Sequence, residues 1–208
     1  MIPGKQLFLL LLLFLLSGGV SAATPTILVL GDSISAAYGI NTDQGWVALL
    51  QKQLQKKSYD YRVVNASVSG DTTRTGLNRL PAALAQQSPD IVIIALGGND
   101  GLRGLSFSEI ENSLAQIIRL SQNSQARVLL VGVRLPPNYG AAYTQQFADL
   151  YLKIARKYQV ALVPRLLDKV ADDRRLLQDD GVHPTAEGQL QIMNNIWAGL
   201  EPLLRDRH

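Results

Sequence analysis

The sequence predicts a single three-layer α/β/α domain built on a five-stranded parallel sheet, and three observations carry that prediction. From Thr26 onward, short aliphatic and β-branched runs alternate with longer amphipathic segments, the pattern of a parallel sheet covered by helices on both faces. The runs are apolar throughout, as strands buried on both faces require. Most of them end in Gly, Asp, Asn, Ser or Pro, the chemistry of a loop.

The first strand is expected over Thr26 to Leu30, ending at Gly31-Asp32-Ser33, and is followed by a helix over Trp46 to Lys56. The second spans Tyr61 to Asn65, leads into a loop over Ser67 to Asp71, and precedes a helix over Leu77 to Ala85. The third, Ile91 to Leu96, runs into the loop Gly97-Gly98-Asn99-Asp100. In the next helix, Ser108 to Leu120, the apolar residues Ile110, Leu114, Ile117 and Ile118 share one face while Glu109, Asn112 and Gln116 lie elsewhere, as packing on a sheet requires. A fourth strand, Val128 to Val133, ends before Pro136-Pro137-Asn138, and a helix over Tyr143 to Tyr158 follows. Val160 to Val163 completes the sheet, and Thr185 to Leu200 forms the last helix. No repeat, linker or low-complexity tract interrupts residues 24–208, so one domain is expected.

Ahead of that domain, Lys5 precedes an apolar run from Leu7 to Leu16, then Ser17, Gly18, Gly19 and small residues through Ala23. This is the pattern of a secretory signal peptide, with cleavage expected after Ala22 or Ala23 and a periplasmic or extracellular destination. The run falls short of the roughly 20 residues of a stable membrane span, and an uncleaved anchor is the alternative. With no cysteine in the chain, lipid attachment at cysteine, disulfides, thiolate metal sites and a cysteine nucleophile are all excluded. Hydrophobic residues are 47% and charged residues 18%, and the net charge of +3 falls to +2 once Lys5 leaves with the leader. Arg165, Lys169, Arg174 and Arg175 are interspersed with Asp168, Asp172 and Asp173 and carry no interleaved aromatics, which reads as a solvated helical surface and not as a nucleic-acid site.

Chemistry must therefore come from hydroxyl, imidazole and carboxylate groups. Of the two histidines, His208 ends the chain, leaving His183 as the candidate base. In Asp179-Asp180-Gly181-Val182-His183-Pro184, Asp180 can curl back to hold Nδ1–H and leave Nε2 free. Ser33, just past a Gly-Asp turn at the end of the first strand, is placed as the nucleophile, with a following helix N-terminus expected to favour developing negative charge. The backbone N–H groups of Ser33 and Gly70 and the side-chain amide of Asn99 are the candidate oxyanion donors. The elbow G-x-S-x-G does not occur, which argues against an ordinary α/β-hydrolase. Taken singly, each of these residues also has a structural use as a cap or turn; their joint placement at strand ends, where active groups gather in such sheets, selects the chemical reading. Asp71 and Asp100 raise a metal hypothesis, but no histidine is spare for a transition metal, so the expectation is no metal and no cofactor.

Gly31-Asp32-Ser33-Ile34-Ser35, Gly70, Gly97-Gly98-Asn99-Asp100 and Asp180-Gly181-Val182-His183-Pro184, in that order, resemble the signature blocks of the SGNH (GDSL) hydrolases. Ile34 stands where the name motif has leucine. Further strings, among them Gly101-Leu102-Arg103-Gly104 and Leu135-Pro136-Pro137-Asn138-Tyr139-Gly140, resemble the family's bacterial thioesterase, lysophospholipase and arylesterase branch. The resemblance implies the SGNH (flavodoxin-like) fold and a serine ester hydrolase with Ser33, Asp180 and His183 as triad and Ser33, Gly70 and Asn99 around the oxyanion. It further implies a mobile loop over Gly101 to Ser106 and an acyl channel, to which Leu102, Leu105 and Leu135 are assigned. A small acyl ester, thioester or lysophospholipid is the expected partner, with no nucleic acid and a monomeric enzyme. A carbohydrate or cell-wall acetylesterase is the alternative chemistry, and a non-catalytic periplasmic binding module the alternative class.

Overall fold

The computed structural model describes residues 24–205; the leader expected over residues 1–23 and His208 lie outside them. Five strands, β1 (Thr26–Gly31), β2 (Arg62–Asn65), β3 (Ile91–Ala95), β4 (Arg127–Val131) and β5 (Ala161–Val163), form one sheet in the order β2-β1-β3-β4-β5. Every pairing is parallel. Helices α1 (Trp46–Lys56), α2 (Thr73–Gln87), α3 (Gly98–Leu102), α4 (Phe107–Asn123), α5 (Ala141–Tyr158) and α6 (Gly188–Arg205) complete the domain.

Strand residues alternate between two cores because successive side chains point to opposite faces. Ile27 and Val29 of β1 and Ile91 and Ile93 of β3 pack with Trp46, Leu50, Ile192 and Ile196 of α1 and α6. Leu28, Leu30, Val92 and Ile94 pack with α2, α4 and α5 through Leu80, Leu114, Ile118 and Phe147. Burial on both faces is why the runs read as continuously apolar.

The chain steps from β1 outward to β2, then returns to place β3 on the other side of β1. That reversal opens a crevice at the carboxyl ends of β1 and β3, the usual ligand site of open α/β sheets. Gly31 is registered with Ala95, so the loops following these two strands emerge level with each other.

The helix over Trp46 to Lys56 has its expected bounds, whereas α2 begins at Thr73 and not at Leu77. The apolar period first registers at Leu77, but the start is set by a capping box between Thr72 and Thr75. At the other end, α6 runs through Pro202 to Arg205. Its last turn carries the buried Leu204 into the core, and a proline so near the end removes little helical bonding. The loop expected at Gly97 to Asp100 is instead the start of α3. Among the described residues, no helix is long and apolar enough to cross a membrane.

Candidate active site

Ser33 follows directly on the end of β1, but no helix starts there. The segment folds as successive turns, with the Ala36 N–H donating to Asp32 O at 2.9 Å and the Tyr38 N–H to Ser33 O at 3.0 Å, and the first α-helix begins only at Trp46. The helix dipole expected at Ser33 is therefore replaced by individual turn N–H groups. Asp32 braces this turn through Oδ1, which accepts the Ile34 N–H at 3.1 Å. Asn65, at the end of β2, donates from Nδ2 to Ser35 O at 2.8 Å and ties the turn to its neighbouring strand.

Asp180 and His183 lie in one local loop. Asp180 Oδ1 accepts the N–H groups of Val182 and His183 at 2.9 and 3.0 Å, while Oδ2 lies 2.6 Å from His183 Nδ1. His183 Nε2 lies 2.9 Å from Ser33 Oγ. A carboxylate accepts only, so the ring proton belongs on Nδ1 and Nε2 is left as an acceptor for the serine hydroxyl. The His183 N–H, then its ring, then the Val182 N–H hold the Asp180 carboxyl down at about 2. These bonds favour the ionised form, so their stabilisation is present above the unfolded value of 3.8 and is lost as the pH falls toward 2.

Asn99, on α3, donates from Nδ2 to Asp71 O at 2.9 Å. One amide hydrogen is thereby fixed, and the second has no partner among the described residues. The turn ahead of it depends on Gly97, whose φ is +114° and where an added Cβ would lie 2.0 Å from the Tyr151 hydroxyl. Only glycine satisfies both constraints. Gly70 sits in the β2–α2 loop with φ +84°, and its carbonyl accepts from Arg103 Nη2 at 3.1 Å. Neither the Ser33 nor the Gly70 N–H donates to another group among the described residues. Asp100 and Asp71 are engaged locally: the Asp100 carboxylate accepts the Thr73 N–H and, at 2.6 Å, the Thr73 hydroxyl, and Asp71 pairs with Arg79.

A cavity of about 360 Å³ opens at Ser33, His183 and Asn99. Of the leucines assigned to an acyl channel, Leu102 and Leu135 line it and Leu105 does not. Leu105 lies past the end of α3, at the surface, with its N–H bonded to Asp100 O. Gly70 likewise lies outside the lining. Arg165, Asp168 and Asp172, expected on a solvated helical surface, lie instead in the irregular and turn segments after β5 and line one side of the cavity. Leu167, Leu177 and Val182 also line it. None has a periodic signal, because loop residues are placed by the fold and not by a repeat.

Asp32 is buried at the cavity floor, and burial pushes its carboxyl up from 3.8 to about 6, with Asp100 and Asp71 adding to the effect and the Ile34 N–H and His183 opposing it. A raised carboxyl costs stability as the pH climbs from the unfolded value through the folded one. Asp32→Asn, which keeps an acceptor for Ile34, is therefore expected to melt above the wild type at pH 8. The difference is up to about 3 kcal/mol and closes as the pH falls toward 4; thermal melts at the two pH values check it.

Residues 29–190 match the GDSL-like lipase/acylhydrolase family. Esterase TesA of Pseudomonas aeruginosa is 50% identical over 183 residues, covering 88% of this chain and 91% of the relative. Thioesterase 1/protease 1/lysophospholipase L1 of Escherichia coli K12 is 42% identical over 198 residues, covering 95% of this chain and 91% of the relative. A crystal structure of the psychrotrophic esterase EstA from Pseudoalteromonas sp., inhibited by monoethylphosphonate, superposes with a TM-score of 0.82 at 35% identity, over 87% of this chain and 99% of that one. With the family matched across most of its length and the sheet order and crevice of that fold in place, the chain belongs to the GDSL-like lipase/acylhydrolase (SGNH hydrolase) family.

Proposed function

We propose that this protein is a monomeric, secreted serine esterase that hydrolyses acyl esters and thioesters through an acyl-Ser33 intermediate, its leader over residues 1–23 being removed on export. The observation that carries the reading is the hydrogen-bonded series Ser33 Oγ, His183 Nε2, His183 Nδ1 and Asp180 Oδ2, at 2.9 and 2.6 Å. His183 takes the hydroxyl proton as Ser33 Oγ attacks the acyl carbonyl, and then delivers it to the departing alcohol or thiol. Asp180, ionised, steadies the imidazolium. Water next gives a proton to His183 Nε2 and attacks the acyl-serine ester, the carbonyl–Oγ bond breaks, and the acid leaves while the proton returns to Ser33.

The N–H groups of Ser33 and Gly70 and the free amide hydrogen of Asn99 are the oxyanion donors in this reading. Among the described residues these donors have no acceptor, which leaves them available to a ligand oxygen. The apolar lining from Leu102 and Leu135 suits an acyl chain. Inhibition of the related EstA by a phosphonate fits an activated serine, and the names arylesterase and thioesterase/lysophospholipase among the relatives suggest the substrate range. Export separates the enzyme from cytosolic thioesters and favours lysophospholipids or other esters as its working substrates.

The test is hydrolysis of p-nitrophenyl esters from acetate to palmitate by the leaderless protein, with fluorophosphonate labelling alongside. Turnover should rise from acetyl to medium chains. Turnover of acetate alone would replace this assignment with a deacetylase, and absence of both turnover and labelling would leave a binding module.

A further inference from the structure

The reactive serine and its base lie on two loops far apart in sequence, and the link that holds those loops together is separate from the reacting groups. Gln178 makes that link. Its Nε2 donates to Tyr38 O at 2.8 Å and to Pro184 O at 2.9 Å, which occupies both amide hydrogens. Its backbone N–H donates to His183 O at 2.7 Å, while on the other loop the Tyr38 N–H donates to Ser33 O at 3.0 Å. A continuous path of bonds therefore runs from the carbonyl of the nucleophile to the carbonyl of the base. The Tyr38 ring also lies against the imidazole, its centroid 4.5 Å from that of His183 at an interplanar angle of 40°. The following residue, Gly39, has φ +76°, and a Cβ there would meet Gln178 Oε1 at 2.2 Å, so the approach of the two loops requires glycine.

Between the segments 32–39 and 177–184, the described residues make two hydrogen bonds: Ser33 to His183, and Gln178 to Tyr38. The two have different fates in turnover. In the proposed mechanism, on which this inference rests, acylation converts the Ser33 hydroxyl to an ester and removes the proton that bonded it to His183. From then until water attacks, the base is deprived of that tether. We infer that Gln178 and Tyr38 are positioning residues that hold His183 in register through the acyl-enzyme stage, so that they serve deacylation more than acylation. Before acylation the Ser33–His183 bond aligns the pair by itself. After it, the Gln178 amide, braced on the Tyr38 and Pro184 carbonyls, and the Tyr38 ring face remain.

The consequence is a specific kinetic pattern. Gln178→Met removes both side-chain bonds at nearly constant volume. With a p-nitrophenyl ester, whose leaving group departs readily, kcat should fall by about 10- to 100-fold, the size of a small misplacement of a catalytic group. KM should fall with it, so that kcat/KM, which reports acylation, stays within about three-fold. A burst of one equivalent of p-nitrophenol per enzyme should appear, and intact-mass measurement should find the acyl adduct. Tyr38→Ala should behave in the same way, and Tyr38→Phe, which keeps the ring, should match the wild type. General damage to the fold would instead lower active-site concentration or raise KM. A drop in kcat/KM as large as that in kcat, without a burst, overturns the inference. If Gln178→Met fails to fold, Tyr38→Ala against Tyr38→Phe decides. Phosphonate labelling and Ser33 dependence of the wild type test the underlying mechanism separately, so a failure there is distinguishable from a failure here.

Discussion

Ser33→Ala is expected to lower kcat for a medium-chain p-nitrophenyl ester by roughly 10⁴–10⁶ while leaving KM nearly unchanged. The hydroxyl is half-buried and contributes little to the apolar cavity that takes the acyl chain, so its loss removes chemistry and not binding. What remains is the rate obtained from the oxyanion donors and from holding the ester in place. Adding His183→Ala to Ser33→Ala should cost nothing further, because a base without its nucleophile has no proton to take. Steady-state rates of the single and double variants, with fluorophosphonate titration of active sites, check both statements. Near wild-type turnover in Ser33→Ala would end the acyl-serine reading.

Asp180→Asn should lower kcat by about 10⁴, and the reason lies in bonds that this substitution does not break. Asp180 Oδ1 already accepts two backbone N–H groups, from Val182 and His183. Asparagine has one oxygen, and those two donors will claim it. Its amide nitrogen is then turned toward His183 Nδ1, where a carboxylate oxygen now lies at 2.6 Å. An N–H facing Nδ1 forces the ring proton onto Nε2, which leaves no acceptor for the Ser33 hydroxyl. The fold and the 2.9 Å approach of ring and serine are preserved while the direction of proton flow is blocked. Nitrogen NMR of the imidazole should report the exchanged tautomer, and a variant that kept the wild-type tautomer together with low activity would refute this account.

The parts of the site legible in the sequence were those fixed by local chemistry or by identity. Asp180 and His183 share one turn, and their relation follows from three-residue spacing. The strand ends could be read because each apolar run stops abruptly at polar or glycine residues. What could not be read was set by partners distant in sequence. The cap at Thr72 lies before the apolar period that announces α2, and Thr73 finds its acceptor in Asp100. Gln178 carries no pattern of its own, since its role depends on the carbonyl of Tyr38 on the far side of the sequence. Leu102 and Leu105 read alike as candidates for an acyl channel, yet Leu102, at the end of α3, lines the cavity and Leu105, past that end, lies at the surface. The charged stretch after β5 forms part of a cavity wall, which its interspersed acids and bases do not distinguish from a solvated helix.

The position of the base also sets an order of events during synthesis. β1 is the second strand of the sheet and is flanked by β2 and β3, so the serine's strand and its neighbours leave the ribosome early in a chain made from its N-terminus. His183 comes after β5, and α6, which supplies Ile192, Ile196 and Leu200 to one face of the sheet, comes after His183. In the proposed mechanism, the Ser33 hydroxyl is thus present through most of synthesis without the base that activates it. In that mechanism, hydrolytic competence therefore waits for the segment that carries His183.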